Sequence, residues 1–145
     1  ALLGSLATKK DRPKDADVLV SIDAEAPMEE LARIGRRFQG RAQGINSTAD
    51  VFLVDPDGRY LGRVCHYREC HPRARCRARH CGARQHMADD VDVVTLSIPL
   101  IMRPPLVLHP TVIANGEVPT DVAELLVARL QVAATREASK SGFGR

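Results

Sequence analysis

One short window of the chain concentrates the residue types that bind soft metal ions. All four cysteines and four of the five histidines lie between Cys65 and His86. Thiolate and imidazole are the ligands that hold zinc and iron tightly in proteins. The window therefore indicates a metal site. The remaining histidine, His109, lies far away in the sequence and before a proline, as expected for a structural residue.

The chain must turn back within this window if its ligands are to meet. On one continuous helix, Cys65 and Cys76 would lie about 16 Å apart, which is too far for a shared ion. His71-Pro72 is the natural break, because the residue before a proline avoids helical angles. The predicted metal ligands come from both sides of this break: Cys65, Cys70, Cys76, Cys81, His66 and His80.

Three interpretations of the cysteines remain open. A structural zinc ion would order a window that has too few apolar residues to order itself. Two disulfides would imply an oxidising compartment such as the intermembrane space. Free thiols beside solvated histidines are the third interpretation. Zinc is the leading prediction for the cofactor, and an iron–sulfur cluster is the alternative cofactor.

The same window carries a local positive charge. Seven arginines and one acid, Glu69, lie between Arg63 and Arg84, whereas the whole chain has a net charge of +3. Arginine forks make bidentate contacts with phosphate and carboxylate groups. An rRNA backbone, cardiolipin head groups and acidic protein surfaces are therefore the candidate partners. The predicted contact residues are Arg68, Arg73, Arg75, Arg77, Arg79 and Arg84.

The elements that must position this window are clearest on its N-terminal side. A β-branched run over 17–23 predicts a buried strand, and Pro27 opens a helix with apolar residues at Met28, Leu31, Ile34 and Phe38. Two strand-like pieces within 51–64 flank Asp55-Pro56-Asp57-Gly58, a strong turn signal that predicts a hairpin. The Cys/His/Arg window follows this hairpin directly.

The C-terminal half predicts a second buried strand over 91–98, two further strands within 106–118 and an amphipathic helix over 121–131. Strands and helices alternate, which indicates an α/β sheet covered by helices. We predict one α/β domain over 17–131 with a Cys/His/Arg-rich insert at 65–88. An extended N-terminal arm (1–16) and a C-terminal tail (132–145) would flank it.

Two stretches resemble thioredoxin-fold proteins. VLVSIDAEAPMEELARIGRRF followed by NSTADVFLVDPDGRYLGRV, within 17–64, resembles the redoxins and especially the Sco copper-chaperone branch. PPLVLHPTVIANGEVPTDVAELLVARL (104–130) looks like the last strands and helix of thioredoxin-like two-iron ferredoxins. The resemblance implies a thioredoxin-like mixed sheet with a Cys/His/Arg-rich insert. The hairpin is also similar to hairpins in CBS domains and in the N-terminal domain of bacterial initiation factor three.

This chain departs from those families at their functional positions. The metal histidine of the Sco branch would fall near Asn46, and its paired cysteines would lie before Val18, where there is no cysteine. Cys65-x4-Cys70 resembles the first ligand pair of the ferredoxins, but the second pair would fall near Ser97 and Ile101. The resemblance thus implies an inherited fold whose redox and copper chemistry is lost.

No constellation in the sequence indicates catalysis. The acids Asp23, Glu25, Asp55 and Asp57 lie at strand ends or turns, where such residues ordinarily cap the backbone. No apolar run reaches the about 20 residues that span a bilayer. Residues 1–10 lack acids and carry two lysines, which fits the end of an organelle transit peptide or, equally, an N-terminal arm laid over a partner. We predict a mitochondrial location.

The predicted function is that of a non-catalytic accessory or structural subunit of a large mitochondrial assembly, either a respiratory-chain complex or ATP synthase. A zinc-stabilised, arginine-rich element would contact the other subunits. The first alternative is a mitochondrial ribosomal protein that binds rRNA. The second is an iron–sulfur or redox protein of the thioredoxin-like ferredoxin type.

Overall fold

A computed structural model describes residues 1–8, 12–70, 86–94 and 96–141. Within these residues, seven strands form one mixed sheet: β1 Leu2–Leu3, β2 Asp15–Ser21, β3 Thr48–Val54, β4 Tyr60–Val64, β5 Met87–Ala88, β6 Leu106–Val107 and β7 Ile113–Ala114. The same described ranges contain three α-helices: α1 Met28–Gln43, α2 Ile98–Met102 and α3 Thr120–Ser141. A short 3-10 helix covers Gly4–Ala7. The strand order is β5-β4-β3-β2-β1-β6-β7, which confirms a mixed α/β sheet.

The centre of the sheet is a β2-α1-β3 unit. β2 and β3 run parallel in continuous register from Asp15 opposite Thr48 to Ser21 opposite Val54, and α1 forms the crossover. β4 then returns antiparallel to β3. In the turn between them, the Asp55 carboxylate accepts hydrogen bonds from the backbone N–H groups of Asp57 and Arg59 at 3.0 and 2.7 Å. The predicted first strand, helix and hairpin are therefore confirmed.

The face of α1 that packs on the sheet includes small residues that the apolar spacing does not single out. Its buried face consists of Met28, Ala32, Gly35, Gln39 and Ala42, while Ile34, a predicted core position, is 54% exposed. A Cβ atom on Gly35 would lie only 3.2 Å from Val64 Cγ1. Small residues thus set the distance between helix and sheet, while the predicted residues Met28, Leu31 and Phe38 also pack against this core.

Helices cover both faces of the sheet. α1 lies over a cluster that includes Val51, Leu53 and Val64. On the opposite face, Ile101 of α2 belongs to a cluster with Leu19 and Val54. The start of α3 packs at the other end of the α1 face, where Val122 and Leu126 contact a cluster that includes Leu2, Ala7 and Leu106.

The predicted buried strand over 91–98 is wrong. The N–H groups of Val93 and Val94 both donate to the Asp90 carbonyl at 2.8 Å, which forms a turn, and Val93 is 84% exposed. The Ser97 side chain then caps α2 by accepting from the N–H of Leu100. Proline is common in the first turn of a helix, which fits this start of α2. The strand that pairs with β4 on its outer side is β5.

The sheet also begins earlier in the chain than the sequence predicts. β1 lies between β2 and β6, within the segment predicted as an extended arm, and Leu2 and Leu3 are buried. At the other end, α3 continues to Ser141, past the helix end predicted at 131. The peptide bond between His109 and Pro110, ahead of β7, is cis.

Gln39 is a buried polar residue whose replacement should stabilise the fold. Its side chain is 4% exposed, and among the described residues neither amide atom has a hydrogen-bond partner. Because an unsatisfied buried amide costs about 1–3 kcal/mol, Gln39→Leu should raise the free energy of unfolding by about 1–2 kcal/mol in urea titration. The exposed Gln43→Leu is the control and should change it by less than about 0.5 kcal/mol. A less stable Gln39→Leu protein would contradict the prediction.

Candidate metal centre

The Cys/His/Arg window leaves and re-enters the sheet at one point. Cys65 follows β4 and His86 precedes β5, and these two strands pair through Val64 opposite Met87. The Cys65 N–H donates to the His86 carbonyl at 3.0 Å, which extends the pairing by one step. The two ends of the window are therefore joined at the edge of the sheet.

A turn over residues 66–70 then places the Cys70 thiol beside His86. The N–H groups of Glu69 and Cys70 both donate to the His66 carbonyl, at 3.0 and 3.1 Å. This turn places Cys70 Sγ 3.4 Å from His86 Nδ1. His86 itself has a φ of +67°, a left-handed conformation that aims its ring differently from that of an extended residue.

α1 supplies a third member of this group. Arg36 Nη2 lies 3.5 Å from His86 Nδ1, and Arg36 Nε donates to the Cys65 carbonyl at 3.5 Å. The Arg36 guanidinium and the Cys70 thiol therefore both lie beside the same ring nitrogen of His86. A metal ion bound by that nitrogen and the thiol would replace the guanidinium contact, because one lone pair serves one partner.

The pair has the chemistry of half a zinc site. Structural zinc takes four ligands in tetrahedral geometry, and cysteine with histidine is one of its common sets. The predicted ligands Cys76, Cys81 and His80 lie outside the described residues. Within the ranges that the structure describes, no three His, Cys, Asp or Glu side chains converge on one point.

Two other predicted ligands, Cys65 and His66, lie within the described residues. Cys65 is buried, at 5% exposure. The ring of His66 turns to β3, where Nε2 lies 2.7 Å from Asp50 Oδ1. This hydrogen bond from His66 is the main reason that the pKa of Asp50 is lowered. The structure thus engages His66 with a carboxylate and presents His86, which was not among the predicted ligands, to Cys70.

The arginines of the window have different roles where they are described. Arg63 donates to both Glu69 oxygens, at 2.9 and 2.7 Å, and its Nε lies 3.0 Å from Asp90 Oδ2. Arg68 is exposed, as a contact residue must be. The predicted contact residues Arg73, Arg75, Arg77, Arg79 and Arg84 lie outside the described residues.

The Arg63 contacts hold both ends of the window to β4. Glu69 belongs to the turn before Cys70, and Asp90 follows β5. Tyr60 of β4 donates its hydroxyl to Asp90 Oδ1 at 2.6 Å. Burial and this hydrogen bond raise the pKa of Tyr60. Two carboxylates on one guanidinium therefore fix the geometry that brings Cys70 to His86.

Glu69 should make the fold sensitive to acid. Its pKa is lowered to about 2, chiefly by the hydrogen bonds from Arg63 and also by that from the His66 N–H. A folded pKa below the unfolded value gives stability that is present above about pH 4.5 and is lost as the pH falls toward 2. Because Glu69 is 44% exposed, solvent screening limits the effect to on the order of 1 kcal/mol.

The measurement is the free energy of unfolding at pH 7 and pH 3 for the wild type and for Glu69→Gln. The variant should lose less stability between these pH values than the wild type. The exposed Glu25→Gln is the control and should retain the wild-type dependence. Equal pH dependence in Glu69→Gln and the wild type would show that this ion pair contributes nothing to stability.

The described helices include none that is both long and apolar enough to cross a membrane. Comparison of the sequence with protein-family models, with curated proteins and with solved structures finds no match. The chain is thus an α/β protein with a seven-stranded mixed sheet and a Cys–His pair at the edge of that sheet.

Proposed function

We propose that the chain is a non-catalytic subunit of a larger assembly and that its Cys/His/Arg-rich window is a zinc-stabilised contact element. The observation that carries this proposal is the distance of 3.4 Å between Cys70 Sγ and His86 Nδ1. This pair lies where the two ends of the window join the sheet. A metal bound there would close the base of a positively charged segment.

Two further arguments support a metal in this place. The window begins and ends on a β-ladder of only two residues on each strand, which is a weak anchor for the segment between them. Zinc binding supplies folding free energy directly and so can order a segment that has few apolar residues. The ion pairs of Arg63 with Glu69 and Asp90 hold the turn before Cys70 and the segment after β5 in place before any metal binds.

The charge of the window supports an anionic partner. Seven arginines against one acid between Arg63 and Arg84 favour phosphate or carboxylate groups, as on an acidic subunit surface or a cardiolipin head group. We propose a large mitochondrial assembly, a respiratory-chain complex or ATP synthase, as the setting of this contact. The finer fold assignment, a thioredoxin-like sheet with this window as an insert, belongs to the same proposal.

Native mass spectrometry before and after chelation tests the metal. The purified protein should carry one zinc ion per chain and lose it to the chelator, after which the four thiols should become titratable. Less than half an equivalent of metal together with four titratable thiols would overturn the proposal. A metal-free protein without titratable thiols would overturn it in favour of two disulfides.

Two simple measurements distinguish the alternative functions from the proposed one. An rRNA-binding protein would bind RNA with an affinity that falls steeply as salt increases, because cation release drives such binding. Absence of RNA binding at low salt would remove that alternative. An iron–sulfur protein would be coloured after anaerobic preparation, so a colourless sample with bound zinc supports the contact element.

A further inference from the structure

A groove lies along the N-terminal half of α1 and reaches Tyr67 and His86. We call it the α1 groove; it has a volume of about 980 Å³. Its lining includes Arg33, Arg36, Arg37, Tyr67 and His86. The volume is that of a site for a small organic ligand, for which about 300–1,000 Å³ is usual.

Of the three arginines that line the groove, two are not paired with an acid among the described residues. Arg33, Arg36 and Arg37 share one helix face, because residues three and four apart are neighbours on a helix. Arg33 is paired with Glu30 at 3.6 Å. In the part of the chain that the structure describes, Arg36 and Arg37 form no ion pair with an acid. Two guanidinium groups are thus available for an anion.

Arg36 is held in place before a ligand arrives. Its contacts with the Cys65 carbonyl and with His86 Nδ1, both at 3.5 Å, restrain the side chain from two sides. A guanidinium that is already oriented loses less conformational entropy when it forms a bidentate contact. The position of Arg36 therefore favours an oxyanion, and the oxygens of a phosphate match the guanidinium fork.

Two other features of the groove lining indicate which class of ligand it would bind. Tyr67 is 58% exposed on the groove and can stack on a flat ring. Glu29 and Glu30 line the end of the groove near the start of α1. Their carboxylates would repel a ligand that extends a second or third phosphate toward them.

From these observations we propose that the α1 groove binds a phosphate monoester that carries a flat ring, the chemistry of a nucleoside monophosphate. Arg36 and Arg37 bind the phosphate, and Tyr67 packs against the ring. This site goes beyond the proposed metal-stabilised contact element, because neither its arginines nor Tyr67 belong to the proposed zinc ligands.

Calorimetric titration of the full chain with AMP tests the proposal, with inorganic phosphate, adenosine and ATP as comparison ligands. AMP should bind more tightly than each of the three. Arg36→Gln and Arg37→Gln should each weaken AMP binding at least about tenfold, since a charge-assisted hydrogen bond contributes about 1.5–3 kcal/mol. Tyr67→Leu should weaken AMP binding while leaving phosphate binding unchanged.

Arg41→Gln is the matched control, because Arg41 is an exposed residue of the same helix outside the groove lining. It should change AMP affinity less than about twofold. No binding of AMP up to about 10 mM, equal losses in Arg37→Gln and Arg41→Gln, or AMP affinity no higher than that of phosphate would each overturn the proposal. Because Arg36 contacts His86, the zinc content of Arg37→Gln is the measurement that reports separately on the contact element.

Discussion

Replacing Gly62 by alanine should destabilise the domain by about 3 kcal/mol or more. Gly62 has a φ of +125°, a conformation that residues with a side chain rarely adopt. A Cβ atom built there would lie 2.3 Å from the Ala88 carbonyl oxygen, a backbone atom that cannot rotate away. The alanine therefore has to push β5 from β4, in addition to the cost of its own backbone strain.

Urea denaturation of the wild type and of Gly62→Ala measures this loss. Gly40→Ala is the control, since Gly40 lies in α1 and a Cβ atom there meets nothing within 4 Å. That substitution should stabilise the protein by about 0.5–1 kcal/mol through helix propensity. A Gly62→Ala protein as stable as the wild type would mean that β5 does not lie against β4 as described.

The expected damage extends to the candidate metal centre. β5 begins directly after His86, and the Cys65 N–H bond to the His86 carbonyl continues the same ladder. Displacement of β5 would therefore move the imidazole away from Cys70. Gly62→Ala should lower zinc retention even though Gly62 cannot bind a metal, which links the stability of the sheet edge to the site.

The elements that the sequence predicts correctly are those whose signal is local. The β2 strand, α1 and the β3–β4 hairpin each carry a pattern that a short stretch contains in full: a β-branched run, helical spacing after a proline, and a turn built on Asp55 and Gly58. Such patterns depend on neighbouring residues alone. These elements also form the centre of the sheet, so the α/β class could be predicted.

The two-residue strands are only partly predictable from the sequence. β6 and β7 confirm the two strands predicted within 106–118, whereas β1 and β5 are too short to show any periodicity. β1 is a strand only because distant strands lie beside it, as Leu2 lies between Val18 and Leu106. The apolar run over 91–98 has the opposite outcome: its described residues, which exclude Thr95, pair with no strand and are divided between a turn and the start of α2.

The candidate site likewise contains residues that the sequence identifies and residues that only the strand pairing identifies. The sequence shows that ligands cluster between Cys65 and His86, but its choice among the histidines depends on spacing. His66 is close to Cys70 in sequence, yet Asp50 of β3 engages its ring. His86 reaches Cys70 only because β4 and β5 pair. The signal that could have identified His86 is its place just before a segment able to pair with β4.

Replacing His86 by asparagine should remove most of the zinc, whereas the same change at His66 should leave it bound. Asparagine tolerates the left-handed backbone of His86 better than most residues, so the variant removes the imidazole with little added strain. The lost ligand would be one of four. We expect less than half an equivalent of zinc in His86→Asn after dialysis against a competing chelator, measured by elemental analysis.

His66→Asn is the matched control because it removes an imidazole from the same turn without touching the Cys70–His86 pair. It should retain close to one equivalent of zinc while losing the contact with Asp50, which would raise the pKa of that carboxyl toward its usual range. Zinc lost from His66→Asn but kept by His86→Asn would contradict the geometric assignment and favour the ligands that spacing alone predicts. Full zinc in both variants would exclude a site at the edge of the sheet. Because both substitutions replace the same ring by the same amide, the difference between them depends on which imidazole faces the Cys70 thiol.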